Sequence, residues 1–219
     1  MEKQFWLERW ERAEIGFHQA EVNPYLLKHW SALQAAHGSE VFVPLCGKSL
    51  DMLWLRQQGH AVLGVELSPI AVRDFFVENG MNPNHTAGSP FDCCEAQGIR
   101  ILCGDFFELT REHLAGVKAV YDRASLVALP PEMRARYARH LEDILPPGTQ
   151  VLLITFDYPQ HEMQGPPFAV SPQEVAELYG NATEIRLLAQ DDTLEQNPRF
   201  KARGMTRMQE NVFLLTLKG

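Results

Sequence analysis

The sequence predicts an α/β fold, an open and mostly parallel sheet with helices on both faces. Three observations point to it. Short apolar runs rich in β-branched residues recur at 40–44, 60–66, 99–103, 117–121 and 150–155. Stretches with apolar residues at helical spacing lie between most of them. And the first run turns through one glycine straight into a helical pattern, in VFVPLCGKSLDMLWL (41–55). A strand–turn–helix unit of that kind places its turn at the carboxyl edge of the sheet, where open α/β folds bind ligands.

The chain has 219 residues, enough for one domain (1–219) with a sizeable core. Its net charge is −8. That balance disfavours a general nucleic-acid binder, which is more often basic. No run of eighteen apolar residues is present, so no membrane span is expected. The start, MEKQFWLERWER, lacks the apolar core of a signal peptide, and the expected location is the cytoplasm. Four cysteines (Cys46, Cys93, Cys94, Cys103) form no CxxC pair. They read as reduced structural thiols, and no metal site is expected. The acidic charge and the lack of an exposed apolar stripe predict a monomer.

Residues 1–39 form a helical extension before the first strand. Phe5, Trp6, Leu7 and Trp10 predict a helix over 3–13, which Gly16 ends. Asn23-Pro24 starts a second helix with Tyr25, Leu26, His29, Trp30 and Leu33 on its apolar face. Most of these aromatics serve packing. Trp10 and Phe17 differ, because they flank a glycine-containing loop and suit the covering of a flat heterocycle.

After strand 40–44, Ser49 is the expected N-cap of the next helix. The second strand, 60–66, ends in Glu66. An acid at that place in a strand–turn–helix–strand unit accepts hydrogen bonds from ribose hydroxyls in nucleotide sites. Ser68-Pro69 caps a helix over 69–79, and 79–97 reads as a loop with at most a short strand near Phe91. The third strand, 99–103, runs into Gly104-Asp105-Phe106-Phe107. Asp105 there suits an amino-purine beside an apolar ring, and it suits a helix N-cap equally well. The fourth strand, 117–121, ends in Asp122-Arg123 at the sheet centre. Arg123 either offers its fork to an anion or pairs with a nearby acid.

Pro130-Pro131 starts a helix to 145, and QVLLIT (150–155) is the fifth strand. The Pro- and Gly-rich FDYPQHEMQGPPF after it reads as a lid or substrate wall. A helix over 172–179, a strand over 182–189, a basic stretch over 197–208 and a last strand over 212–217 complete about seven strands. The final two strands are placed as a hairpin. Arg199, Lys201, Arg203 and Arg207 make the basic stretch the one cationic cluster of an acidic chain.

PLCGKSLD carries one glycine, with neither GxGxxG nor GxxxxGK[ST], so a pyrophosphate grip is weakly supported. A ligand with ribose and adenine but no pyrophosphate fits better, and S-adenosylmethionine is such a ligand. A dinucleotide oxidoreductase, a non-catalytic S-adenosylmethionine-binding module and an O- or N-methyltransferase remain as alternatives. The last of these would need a base, for which His18 and His161 are weak candidates.

The pieces FW…W…IGFHQ…NPYL, VPLCGKSLDMLWL, GVELS, GDFF, YDRASLVALPPEMR and LLITFDYPQ…GPPF closely resemble the thiopurine S-methyltransferase family in its bacterial form. The resemblance implies a class I, Rossmann-like methyltransferase fold with a seven-stranded sheet whose last strand is inserted antiparallel. It implies that Trp10, Leu45, Glu66, Asp105, Phe106 and Arg123 line the S-adenosylmethionine site, with 1–39 as its cover. Phe17 and Arg199 would meet the acceptor. It implies methylation of aromatic and heterocyclic thiols such as 6-mercaptopurine, with S-adenosylhomocysteine as product. Some bacterial members resemble selenium and tellurium detoxifiers. The expected catalytic role of Arg123 is electrostatic, favouring a thiolate acceptor.

Overall fold

The computed structural model describes residues 3–218, the side chain of Arg199 excepted. Helices α1 (Lys3–Glu11) and α2 (Pro24–His29) precede strand β1 (Glu40–Val43). Then follow α3 (Asp51–Gln57), β2 (Ala61–Glu66), α4 (Pro69–Glu78), β3 (Asn84–Thr86), β4 (Asp92–Ala96) and β5 (Ile99–Cys103). The second half contains β6 (Val117–Arg123), α5 (Pro131–Ile144), β7 (Gln150–Asp157), α6 (Pro172–Tyr179), β8 (Thr183–Asp192), α7 (Pro198–Lys201) and β9 (Gln209–Leu217).

The strands form one sheet in the order β3-β4-β5-β2-β1-β6-β7-β9-β8. The central five, β5 to β7, run parallel. β9 enters antiparallel between β7 and β8, as the resemblance implies, and the β8–β9 hairpin is present. The chain doubles back at β1: β2 lies on one side and β6 on the other. This reversal opens a crevice at the strands' carboxyl ends.

The sheet has nine strands rather than the expected seven, because residues 79–97 are not a plain loop. Gln97 and Gly98 both take positive φ (52° and 80°) between the paired Ala96 and Ile99. Two such residues make the tight turn that matches strand twist, so β4 folds back on β5. β3 then adds a short polar edge, exposed at all three positions. Local composition resembled a loop because an edge strand has little to bury.

Alternation along the central strands splits the core into two layers. Phe42, Leu63, Val120 and Leu153 pack on one face with Tyr137 and Leu141 of α5 and Val175 of α6. Val41, Val62, Tyr121 and Ile154 pack on the other with Leu26 of α2, Leu55 of α3 and Phe75 of α4. Caps fix the helix starts. Asn23 Oδ1 accepts from the amides of Tyr25 (2.9 Å) and Leu26 (3.4 Å). Ser68 Oγ accepts from Ala71 (3.3 Å), and Ser171 Oγ accepts from Glu174 (3.2 Å). Ser49 is one residue too early to be the N-cap of α3, a place Leu50 occupies without a side-chain bond. Its Oγ accepts the Asp51 amide at 3.2 Å instead.

Candidate active site

A cavity of about 1090 Å³ opens at the carboxyl ends of β1, β2, β5 and β6. Trp10, Phe17, Leu45, Glu66, Asp105, Phe106 and Arg123, which the sequence singled out, all line it. They come from separate stretches of chain, and the sheet brings them to one crevice.

The turn after β1 forms its floor. Leu45 and Gly47 have φ of 44° and 53°. Leu45 holds a left-handed conformation that its side chain disfavours, and such strain concentrates at functional turns. The Cys46 amide donates to Val65 O at 3.0 Å and ties the turn to β2. Trp10 lies on Gly47, where an added Cβ would sit 3.3 Å from the indole. Phe17 meets Trp10 edge-on at 5.6 Å and Trp6 at 5.7 Å. So α1 and the loop after it cover the turn with three aromatic rings.

Glu66 is buried at the end of β2. Its carboxylate accepts from the amides of Gly47 (2.8 Å) and Ser68 (2.8 Å). Burial pushes its pKa up, and the backbone donors at Ser68, Gly47 and Leu67 oppose that. A carboxylate has about four acceptor sites, so these backbone donors still leave capacity toward the cavity.

Asp105 caps the short turn Phe106–Glu108, accepting the Phe107 amide at 3.0 Å. It also pairs with Lys3 Nζ at 2.7 Å, which ties α1 to the cavity rim. The Phe106 ring stacks on Tyr137 at 4.7 Å and is buried in the core. Its place at the cavity wall is therefore beside Tyr137 rather than on a free-standing flap.

Asp122 and Arg123 do not pair. They point to opposite faces of β6, as successive strand residues do. Asp122 is buried, accepting from Tyr137 Oη at 2.8 Å and from the Leu126 amide at 3.4 Å. Burial pushes its carboxyl up to about 6. Arg123 faces the cavity and makes no ion pair among the described residues. Ala124 beyond it has φ 63°, a second strained position at the cavity edge. Behind Arg123, Tyr121 Oη donates to Asp51 Oδ2 at 2.9 Å, and the Asn23 amide donates to Asp51 Oδ1 at 2.8 Å. One buried carboxylate thus joins the start of α2, the start of α3 and the end of β6.

Other lining residues were not singled out as contacts. Lys48 and Phe156 lie within the motifs VPLCGKSLDMLWL and LLITFDYPQ, whereas Glu210 on β9 and Tyr137 on α5 reach the cavity only through the fold. The loop read as a wall contributes residues 163–167. Of the basic stretch, Asn197, Phe200 and Arg203 line the cavity, whereas Arg207 pairs with Asp157 at 3.3 Å and Lys201 with Glu195. The expected acceptor contact Arg199 lies on α7, and its side chain is outside the described residues. His18 lines the cavity, with its pKa lowered by burial and by Lys48. His161 is exposed and lies off the lining.

The family model for thiopurine S-methyltransferase matches residues 1–218. A thiopurine S-methyltransferase of Nitrosospira multiformis is 64% identical over 98% of this chain and 98% of its own length. One of Azotobacter vinelandii is 52% identical over 98% and 99%. Among solved structures, the chain is similar to a Burkholderia thailandensis 1,6-didemethyltoxoflavin-N1-methyltransferase with bound S-adenosylhomocysteine. The TM-score is 0.65 at 14% identity, covering 99% of this chain and 87% of that one. A Haemonchus contortus phosphoethanolamine N-methyltransferase scores 0.61 at 12% identity, covering 88% and 52%. At such identity these two speak for the class I methyltransferase fold alone. With the family matched along the whole described chain, this protein belongs to the thiopurine S-methyltransferase family and is an S-adenosylmethionine-dependent methyltransferase.

Proposed function

We propose that the enzyme methylates the sulfur of aromatic and heterocyclic thiols such as 6-mercaptopurine. The observation that carries this reading is Arg123: a guanidinium with no ion pair among the described residues, facing a cavity with Phe17, Phe156 and Phe200 in its wall. Aromatic rings suit a flat acceptor, and a fixed cation favours its sulfur as thiolate.

The residues also fit the methyl donor. Glu66 has spare acceptor capacity for ribose hydroxyls. The Leu45–Gly47 turn lets backbone approach a ligand closely, since Gly47 has no Cβ to meet Trp10. Asp105 and Phe106 form the adenine end, and Trp10 with Arg123 closes the donor site. The cavity volume, at the top of the usual range for ligand sites, suits two molecules side by side. When bound, S-adenosylmethionine supplies a methyl group already activated on a sulfonium. The chain's residues then position the acceptor and exclude water. In this reading residues 1–219 act as one methyltransferase domain, and 1–39 serve as its cover through Trp6, Trp10 and the Lys3–Asp105 pair. The expected setting is a cytoplasmic monomer, on the grounds of charge and four free thiols.

The test is an assay of purified protein with S-adenosylmethionine and 6-mercaptopurine, both products quantified by mass spectrometry. S-methylated acceptor together with S-adenosylhomocysteine is the expected result. Cofactor binding without that product would reject the thiopurine acceptor. Selenium and tellurium compounds belong in the same assay, since the same cation and rings suit heavier, softer chalcogen anions and a detoxifying role.

A further inference from the structure

Arg123 and Glu210 face the same cavity from two strands that do not touch. Register places Arg123 opposite Ile154 and Glu210 opposite Phe156 on the intervening β7. Ile154 and Phe156 are two apart, so Arg123 and Glu210 emerge on the same side of the sheet. Both line the cavity, and their charges act on each other. Yet they are not an ion pair: among the described residues neither has an oppositely charged group within 4 Å. A cation and a carboxylate are thus held apart, open to the space between them.

That arrangement selects a kind of acceptor. A permanent thiolate is attracted by Arg123 and repelled by Glu210. A neutral heteroaromatic thione, with a ring N–H next to its C=S, meets no such repulsion. We propose that Glu210 takes the ring N–H proton of such a thione while Arg123 holds the sulfur that becomes anionic. The step balances within the site. The N–H bond breaks and an O–H bond forms on Glu210. The N–H electron pair becomes ring C=N, and the C=S π pair moves onto sulfur. Total charge is unchanged, because the carboxylate is neutralised as the thiolate appears beside the guanidinium. The proton later leaves Glu210 to water. This deepens the thiol reading above and rests on it.

The surroundings of Glu210 agree. Its carboxyl is pushed up by burial and by Asp191 on β8, while Arg123 on β6 and the Thr193 hydroxyl pull it down. Among the described residues Tyr25 on α2 also lies in the field of Glu210 and Asp191, and burial with those charges pushes its hydroxyl up. A carboxylate made more basic by burial is a better proton acceptor.

The experiment compares 6-mercaptopurine with an electron-poor thiophenol, which is already a thiolate and has no ring N–H, in the native enzyme and in Glu210→Gln. The expected loss of kcat/KM is at least tenfold greater for 6-mercaptopurine than for the thiophenol. Raising the pH until solvent ionises 6-mercaptopurine should restore the rate of the variant. Equal losses for both acceptors, or none for either, would overturn the proposal. Calorimetric binding of S-adenosylhomocysteine checks that the variant site is intact. The native enzyme gives a reading independent of any variant: an acceptor with N-methyl in place of N–H should bind at least tenfold more weakly, and equal binding would overturn the proposal. If the native enzyme turns over neither thiol, the thiol reading falls, and this inference with it. Turnover of both with no Glu210 selectivity removes this inference alone.

Discussion

The Gly47 amide donates to the Glu66 carboxylate at 2.8 Å, so the turn after the first strand and the end of the second hold each other within the folded chain. The Ser68 amide holds the other oxygen at the same distance. The carboxylate proposed to meet ribose is therefore already oriented by backbone. Removing it leaves two buried N–H groups without partners.

Glu66→Ala is expected to weaken S-adenosylhomocysteine binding by about 1–3 kcal/mol, the scale for hydrogen bonds to a charged acceptor. It should also lower folding stability by a similar ~1–3 kcal/mol, from the orphaned amides. Titration calorimetry and urea unfolding measure the two separately. Undiminished affinity would remove Glu66 from the cofactor site.

Gly47→Ala tests the turn. The φ of 53° disfavours any L side chain, and the new Cβ would press on the Trp10 ring. A stability loss of about 1–2 kcal/mol is expected from the backbone alone. Because Trp10 must move, tryptophan emission should shift and cofactor affinity should fall. An unchanged spectrum with unchanged affinity would show that Trp10 is not seated on the turn.

Asp122→Asn tests a buried acid. With the folded-state pKa near 6, the folded protein keeps a proton that the unfolded chain, titrating near 4, has released. The carboxyl's contribution to stability is thus fully present below about pH 4 and is lost as pH rises through 6. Asparagine keeps a carbonyl for the Tyr137 hydroxyl but does not titrate. From pH 4 to 7 the native protein should lose roughly 2–3 kcal/mol relative to the variant. Denaturant unfolding at both pH values measures this. A constant difference would contradict the assignment.

Arg123→Ala tests the cation. It should move the rising limb of the pH–rate profile to higher pH, since nothing then favours the anionic acceptor, or weaken acceptor binding. Arg123→Lys, which keeps the charge but not the fork, should restore part of the effect. A profile and affinities identical to those of the native enzyme would exclude the electrostatic role.

Much of this was legible in the residues. Valine-rich runs bounded by Gly and Pro located the parallel strands, and Asn23 and Ser68 marked helix starts that the caps bear out. The two extra strands were hidden because an exposed edge has no apolar signature, and the short strand expected near Phe91 was the one trace of β4 that the residues offered. Asp105 shows the limit of a local reading. It satisfies the cap and lines the cavity at once, and no spacing foretold its ion pair with Lys3, about a hundred residues away.

By itself the sequence determined the strand–turn–helix frame, the family and the residues at the strands' carboxyl ends, because these depend on neighbours along the chain. The tertiary structure alone decided that Asp122 turns inward to Tyr137 while Arg123 faces the cavity with no ion pair among the described residues. It also decided that Glu210, far along the chain, shares the cavity with Arg123. A side chain's partner is set by which strands the sheet places side by side. The antiparallel insertion of β9 beside β7 brings those two charges to one face.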